Sequence, residues 1–403
     1  MNLEPSLAVR RPAFPLLLGV HNQVLLVLVV IALAAVASSG FVGDAPNRLV
    51  SGRPISLWSA ADPITKAGVA LLGAVLSATC FVRPSKSLHC TVVVLAAALL
   101  LLVLAAAGQA ASHLTQSGRL AARISLGPAF WVLATCAALA LADALQRLNA
   151  GLIAQLFAVI GIAAGAVLLA ASGIFDALSL TQEFATHRQA FSDAITRHMA
   201  LVGASVALAT AIGFPLGVAA AKRPGLQNPV FAVLNILQTI PSIALFGLLI
   251  WPLSALVAGV PRLEQFGVGG IGVAPAIIAL VLYSLLPVVR NTSVGLAGVD
   301  SAVIEAGRGM GMGAGQIFRQ IELPLALPVL LAGLRIVIVQ AIGLAVVAAL
   351  IGAGGLGTFV FEGLGQYAVD LVLLGALPAI FLALLADFTL QIITTMVSRR
   401  LAR

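Results

Sequence analysis

The sequence predicts an all-α protein, a polytopic transmembrane helical bundle of about ten spans. Three observations carry that prediction. Of 403 residues, 61% are hydrophobic and only 9% are charged, against about a quarter charged in an ordinary soluble domain. Mean hydropathy is +1.12, so the natural solvent of this surface is lipid. The apolar residues come in runs near the roughly 20 needed to cross a hydrocarbon core. Each run is continuously apolar, which suits a helix. Barrel strands would alternate over about ten residues.

The candidate spans are Gln23–Val42, Ala67–Val82, Cys90–Gly108, Pro128–Leu145, Gly151–Ala171, Met199–Ala221, Pro229–Trp251, Ile271–Val289, Leu323–Ile351 and Leu371–Val397. The last two are long enough to tilt or to project beyond the bilayer. Arg10 and Arg11 precede an apolar run whose Ala35-Val36-Ala37 resembles a cleavage site. A cleaved signal peptide and an uncleaved first span both fit; the further runs downstream favour the span.

The net charge of +8 would suggest nucleic acid in a soluble chain. Here the basic residues sit between apolar runs without interleaved aromatics, which excludes that class and fits the positive-inside rule. Arg10, Arg11, Arg83, Lys86, Arg147, Lys222, Arg223, Arg290, Arg308, Arg319, Arg399, Arg400 and Arg403 fall on one side of an even-numbered topology. Both termini are then cytoplasmic. The opposite segment Gly352–Asp370 has no Lys or Arg, and Arg119 and Arg123 are the exceptions. Cys80, Cys90 and Cys136 have neither C-x-x-C spacing nor a paired His, so they read as small buried hydrophobes. His21, His89, His113, His187 and His198 are scattered. With no metal-spaced cluster, acid–base pair or nucleophile context, the sequence offers no catalytic centre and no metal site.

Three regions follow. Residues 1–180 form a five-span membrane region. Residues 181–198 are the most polar stretch, with Phe184, Phe191 and Ile195 at roughly helical spacing among Glu183, Arg188, Asp193 and Arg197; that pattern predicts an amphipathic interfacial helix. Residues 199–403 form a second five-span region. Within it, Asp300–Pro328 is too long for a tight turn and too polar to span. Its glycine-rich corner allows close approach of another backbone, and Pro324 and Pro328 suit the start of the next helix. A short cytoplasmic element is thus joined to a membrane helix, as in a coupling device.

These residues carry a resemblance. Glu305-Ala306-Gly307, then Gly311, then Ile321-Glu322-Leu323-Pro324 is similar to the E-A-A, three residues, G, nine residues, I-x-L-P loop of binding-protein-dependent ABC importer permeases. Gly307 replaces the second Ala. The resemblance covers about Ala194 to the C-terminus. It implies a type I ABC importer permease core in the C-terminal half, with a coupling loop over 299–322 that docks on a cytoplasmic ATPase through Glu305, Ala306, Gly307 and Gly311. It also implies ATP used by partner ATPase subunits rather than bound directly, a second permease, the same or related, and a separate extracytoplasmic solute-binding protein. Gln238-Thr239-Ile240-Pro241-Ser242, Leu286-Pro287-Val288-Val289-Arg290-Asn291-Thr292 and Ile351-Gly352-Ala353-Gly354-Gly355-Leu356-Gly357 resemble the permeases for glycine betaine, carnitine, choline and related osmoprotectants. The added first half resembles a longer subgroup of these permeases.

The other polar residues leave alternatives open. Asn235, Gln238, Thr239 and Ser242 around Pro241, with Gln340, either line the pathway or make helix–helix hydrogen bonds. Arg335 either pairs with Asp387 or snorkels to the cytoplasmic face. Gly352–Gly357 lacks the Lys-Ser/Thr of a phosphate loop and reads as a break at the external end of span nine. With aromatics at 5%, a quaternary ammonium cage is better assigned to the binding protein. Rival readings are an importer of another solute, such as methionine or taurine, and an ATP-independent secondary transporter or channel. The second would need an ion relay, for which intramembrane acids are few. A membrane-embedded enzyme is the weakest option.

Overall fold

The computed structural model describes residues 19–47, 50, 52–115 and 122–401. Arg10, Arg11, Arg119 and Arg403, used above for orientation, lie outside the described residues. The helices are α1 (Gln23–Ser38), α2 (Leu57–Ala60), α3 (Pro63–Thr79), α4 (Lys86–Thr115), α5 (Pro128–Arg147), α6 (Leu152–Ala171), α7 (Ser179–Thr186), α8 (Arg188–Lys222), α9 (Pro224–Thr239), α10 (Ser242–Gly259), α11 (Val273–Ala297), α12 (Ser301–Gly309), α13 (Ala314–Ile317), α14 (Leu323–Val347), α15 (Gly357–Gly365) and α16 (Val369–Leu401). Eight of the described helices are long and apolar enough to cross a membrane, and α1 and α3 are shorter apolar helices. The chain divides into two compact units, Met1–Gln182 and Glu183–Arg403.

In the first unit α1 packs on α5, and α3 on α4, which itself packs on α5. Helix starts follow local chemistry. The Asn22 side chain caps α1 by accepting from Leu25 N at 3.1 Å. Asp62 caps α3 by accepting from Ile64 N at 3.2 Å, ahead of Pro63, whose missing N–H costs nothing at the first helical position. The core is built from small alanines of α4 and α5, with Leu25, Leu57 and Phe41 among the largest wholly buried side chains.

One part of this unit was not foreseen. Strands β1 (Val42–Ala45), β2 (Arg53–Ile55) and β3 (Arg123–Leu126) form an antiparallel sheet of order β2-β1-β3, pairing Val42 with Ile55 and with Leu126. The strands are too short for a period-2 pattern to declare itself. Span one therefore stops at Ser38, four residues before its predicted end at Val42. The sequence Ser38-Ser39-Gly40 ends the helix and β-branched Val42 joins the ladder. Gly127 N donates to Phe41 O at 2.9 Å, and the buried Phe41 ring meets Phe130 edge-on at 5.9 Å. Arg123, an exception to the charge pattern, donates to Gln182 from this sheet.

In the second unit α8, α11, α14 and α16 pack successively. The predicted interfacial helix at 181–198 is not one element. The chain breaks at His187, with φ −109° and ψ 20°. Residues from Arg188 onward are the first turns of a single 35-residue helix. Phe184 and Phe191 nevertheless meet across the break, their rings 5.2 Å apart. Helix α8 crosses α11 at close range. A Cβ at Gly213 would lie 2.8 Å from Val288 Cγ1, and one at Gly217 would lie 2.9 Å from Val289 O. Small residues at a spacing of four let two membrane helices approach to backbone contact.

Span seven also needs correction. The apolar run Pro229–Trp251 is not a continuous helix around Pro241. Instead α9 ends at Thr239, and Pro241 is the N-cap of α10. Pro241 lacks an N–H, and it drives the preceding residue out of the helical region, as seen in the ψ of 125° at Ile240. The helix long enough to span is Ser242–Gly259.

Candidate functional site

The stretch between α11 and α14 builds a helix, a tight corner and a second helix. Asp300 caps α12, its Oδ1 accepting from Ala302 N at 2.9 Å. At the other end Gly311 N donates to Arg308 O at 2.9 Å and Met312 N to Gly307 O at 3.1 Å. This pair of bonds is a Schellman closure, which needs a left-handed residue after the C-cap. Gly311 supplies it, with φ +81° and open space around it. Gln316 Oε1 then accepts from Gly313 N at 2.8 Å, which starts α13.

The coupling residues named from the sequence divide by direction. Glu305, Ala306 and Gly311 are exposed. Gly307 is buried, and a Cβ there would lie 2.8 Å from Ile321 Cδ1 and 3.6 Å from Ile317 Cγ1. Gly307 and Ile321 are therefore the internal contact that folds α12 against the following helix. Leu323 and Pro324 open α14. Between α13 and α14 the backbone makes a π turn over Phe318–Glu322. The Pro324 ring would strike the carbonyl of Gln320 in a regular helix, and widening the turn removes that conflict. Helical structure then runs unbroken from Ala314 to Ile351, so the loop and span nine are one body.

Two residues to which sequence reasoning assigned no mutual contact tie this element to α8. Lys222 Nζ lies 2.8 Å from Glu322 Oε2 and 4.7 Å from the centre of the Phe318 ring. Glu322 is the variable position of the I-x-L-P motif, and for that reason drew no attention.

A second constellation surrounds the break between α9 and α10. Pro287 removes the N–H that would have bonded Tyr283 O within α11. Gln238 Nε2 fills that place, donating to Tyr283 O at 2.8 Å. Reciprocally, the Tyr283 hydroxyl donates to Ile240 O at the break. Two prolines thus expose two carbonyls, and two side chains close them into a clasp. Of the open alternatives for Gln238, the helix–helix hydrogen bond is the one observed. Thr239 Oγ1 turns back to Ile236 O at 2.7 Å. Asn235 and Pro241 are exposed, and Ser242 and Gln340 are half-buried. Tyr283 could have been found from the sequence, as one of two tyrosines and four residues before a mid-helix proline.

Elsewhere in the unit Arg335 of α14 and Asp387 of α16 form a bidentate pair, Nη2 donating to Oδ2 at 2.6 Å and Nε to Oδ1. Arg335 therefore pairs rather than snorkels. Both side chains are about a third exposed, 35% and 37%, so the pair is screened wherever water reaches it. The exchanged pair Arg335→Asp with Asp387→Arg is expected to recover most of the thermal stability that either single change loses, measured on detergent-purified protein. Equal losses in the single and exchanged variants would contradict a pairing role.

At the opposite end of span nine, Gly352, Gly354 and Gly355 have φ between +76° and +85°. Arg197 Nε of α8 donates to Ala353 O at 3.1 Å, and wholly buried His198 lies where a Cβ at Gly355 would be 3.2 Å from its Nδ1. No cluster of three metal-ligating side chains occurs among the described residues.

Comparison with known proteins gives the following. The family described as "Binding-protein-dependent transport system inner membrane component" matches residues 213–403. The domain described as "ABC transporter permease YehY, N-terminal domain" matches residues 21–181. The carnitine transport permease protein OpuCB of Listeria monocytogenes is 41% identical over 194 residues, 48% of this chain and 82% of that protein. The osmoprotectant import permease protein OsmW of Salmonella typhimurium is 44% identical over 195 residues, 48% of this chain and 86% of that protein. Among solved structures, one of the inward-facing MetNI methionine ABC transporter aligns at 26% identity and a TM-score of 0.46, covering 53% of this chain and 98% of that chain.

Proposed function

This chain belongs to the binding-protein-dependent transport system inner membrane components, and from that premise we propose that it is the permease subunit of an ATP-driven importer for glycine betaine or a related osmoprotectant. The observation that carries the proposal is the exposed Glu305–Gly311 corner, folded on Gly307 and Ile321 and continuous with span nine. A separate ATPase subunit docks on Glu305, Ala306 and Gly311. A second permease completes the pathway, and an extracytoplasmic binding protein delivers solute. Both termini are cytoplasmic. Residues 199–403 are the transport core, and residues 1–180 are an added membrane region. The carnitine and osmoprotectant permeases similar to this chain support the solute class.

In this reading ATP-driven closure of the ATPases pushes the corner. The push passes through the π turn into α14, and through the Lys222–Glu322 pair into α8. The test is uptake of labelled glycine betaine into proteoliposomes holding this chain, its ATPase and its binding protein. Uptake should require internal ATP and the binding protein. Uptake without ATP would favour a secondary transporter. No uptake of glycine betaine, carnitine or choline with active bound partners would remove the osmoprotectant assignment.

A further inference from the structure

The first unit contains a cavity that the transport reading leaves unused. It has a volume of about 320 Å³ and lies between α1, α3 and α5, with α2 at one end. Its walls are almost wholly apolar, formed by Leu28, Val29 and Ala32 of α1, Ala70 and Gly73 of α3, and Ala137 of α5. The slot extends along α1 from Leu25 to Val36, about 16 Å at the helical rise. An apolar cavity of about 150 Å³ accepts a six-carbon ring, so this one accommodates roughly a dozen carbons. Length and volume therefore agree on one extended hydrocarbon chain.

Three further features bear on the occupant. The slot opens sideways between α1 and α3, past Leu33, Ala70 and Ala74, all exposed. Its end near the sheet carries Trp58, half exposed, the residue type that settles at headgroup level. Its other end is shut by Leu25 and Leu76, at 2% and 3% exposure, beneath the Asn22–Asp143–Arg147 network. Glycine inside a helix costs about 1 kcal/mol against alanine. Yet Gly73 faces this space with nothing within 4 Å of where its Cβ would stand.

We infer that the slot between α1 and α3 holds one acyl chain of a bilayer phospholipid, with its headgroup at the Trp58 end. Lipid tails are as apolar as the lining of the slot, so what holds the chain there is van der Waals packing against the walls. The inference rests on the membrane placement of these helices and is independent of the solute transported.

The test uses the full chain with Trp131→Phe and Trp251→Phe, leaving Trp58 as the only fluorophore of its type. Phosphatidylcholine with dibrominated acyl chains is titrated into detergent-solubilised protein. Saturable quenching near one equivalent is expected, and Gly73→Leu, which fills the slot, should weaken it at least tenfold. Identical curves with and without Gly73→Leu would overturn the site, as would quenching that never saturates. Dibromostearic acid serves as a second probe: binding of the acid with none of the phospholipid would overturn the assignment to a phospholipid. Should Gly73→Leu fail to fold, Cys136, which lines the slot, gives a second reading. In a Cys80→Ala, Cys90→Ser background the phospholipid should slow N-ethylmaleimide labelling of Cys136 at least fivefold. Unchanged labelling would overturn the inference.

Discussion

Glu305→Lys is expected to abolish uptake and ATPase co-purification while leaving the permease folded. Glu305 is exposed on α12, and a surface substitution of this kind usually moves stability by no more than about 0.5 kcal/mol. At a small docking site the reversal should cost about 2–4 kcal/mol of binding, or roughly 30- to 1,000-fold in the ATPase retained. Gly307→Val supplies the contrast, because the added atoms meet Ile321 at 2.8 Å. Overpacking of that kind costs about 1–3 kcal/mol of folding stability. The pair of variants separates an outward docking face from an inward packing face. Normal co-purification by Glu305→Lys, together with normal melting of Gly307→Val, would remove both assignments.

The second large effect is expected at the clasp. Gln238→Leu leaves Tyr283 O without a donor, since Pro287 has no N–H to offer. An unsatisfied buried carbonyl costs about 1–3 kcal/mol. Pro287→Ala restores the missing N–H inside α11. In that background Gln238→Leu should cost far less, giving a coupling of about 0.5–3 kcal/mol in a double-mutant cycle. Additive losses in thermal unfolding would mean that Gln238 acts through some other contact. Tyr283→Phe should add a smaller loss, about 1 kcal/mol, by releasing Ile240 O.

Both predictions show where the sequence is readable and where it is not. Spans such as Pro128–Leu145 are legible because eighteen predominantly apolar residues in one run admit little besides a membrane helix. The corner at Glu305–Gly311 is legible because glycine and proline act locally. The clasp is not, because it depends on which helix a freed carbonyl faces, and that is a matter of tertiary packing. Gly307 could be seen to need a small residue, but only Ile321 arriving beside it makes that need internal. The sheet escaped notice for another reason. Its third strand, β3, lies far along the chain from β1 and β2, and each strand is too short to pattern by itself.

The meeting of Asn291 and Gly333 has a mechanical consequence. The Asn291 side chain fills the space a Gly333 side chain would occupy, its Nδ2 lying 2.9 Å from that Cβ position, and it is steadied by donating to Pro287 O at 2.8 Å. Gly333 stands near the middle of α14, about 15 Å from Leu323 and about 21 Å from Val347 at the helical rise. A stiff beam held close to its midpoint works as a seesaw on a fulcrum. A rigid-body tilt of α14 about this contact would carry its Leu323 and Val347 ends in opposite directions.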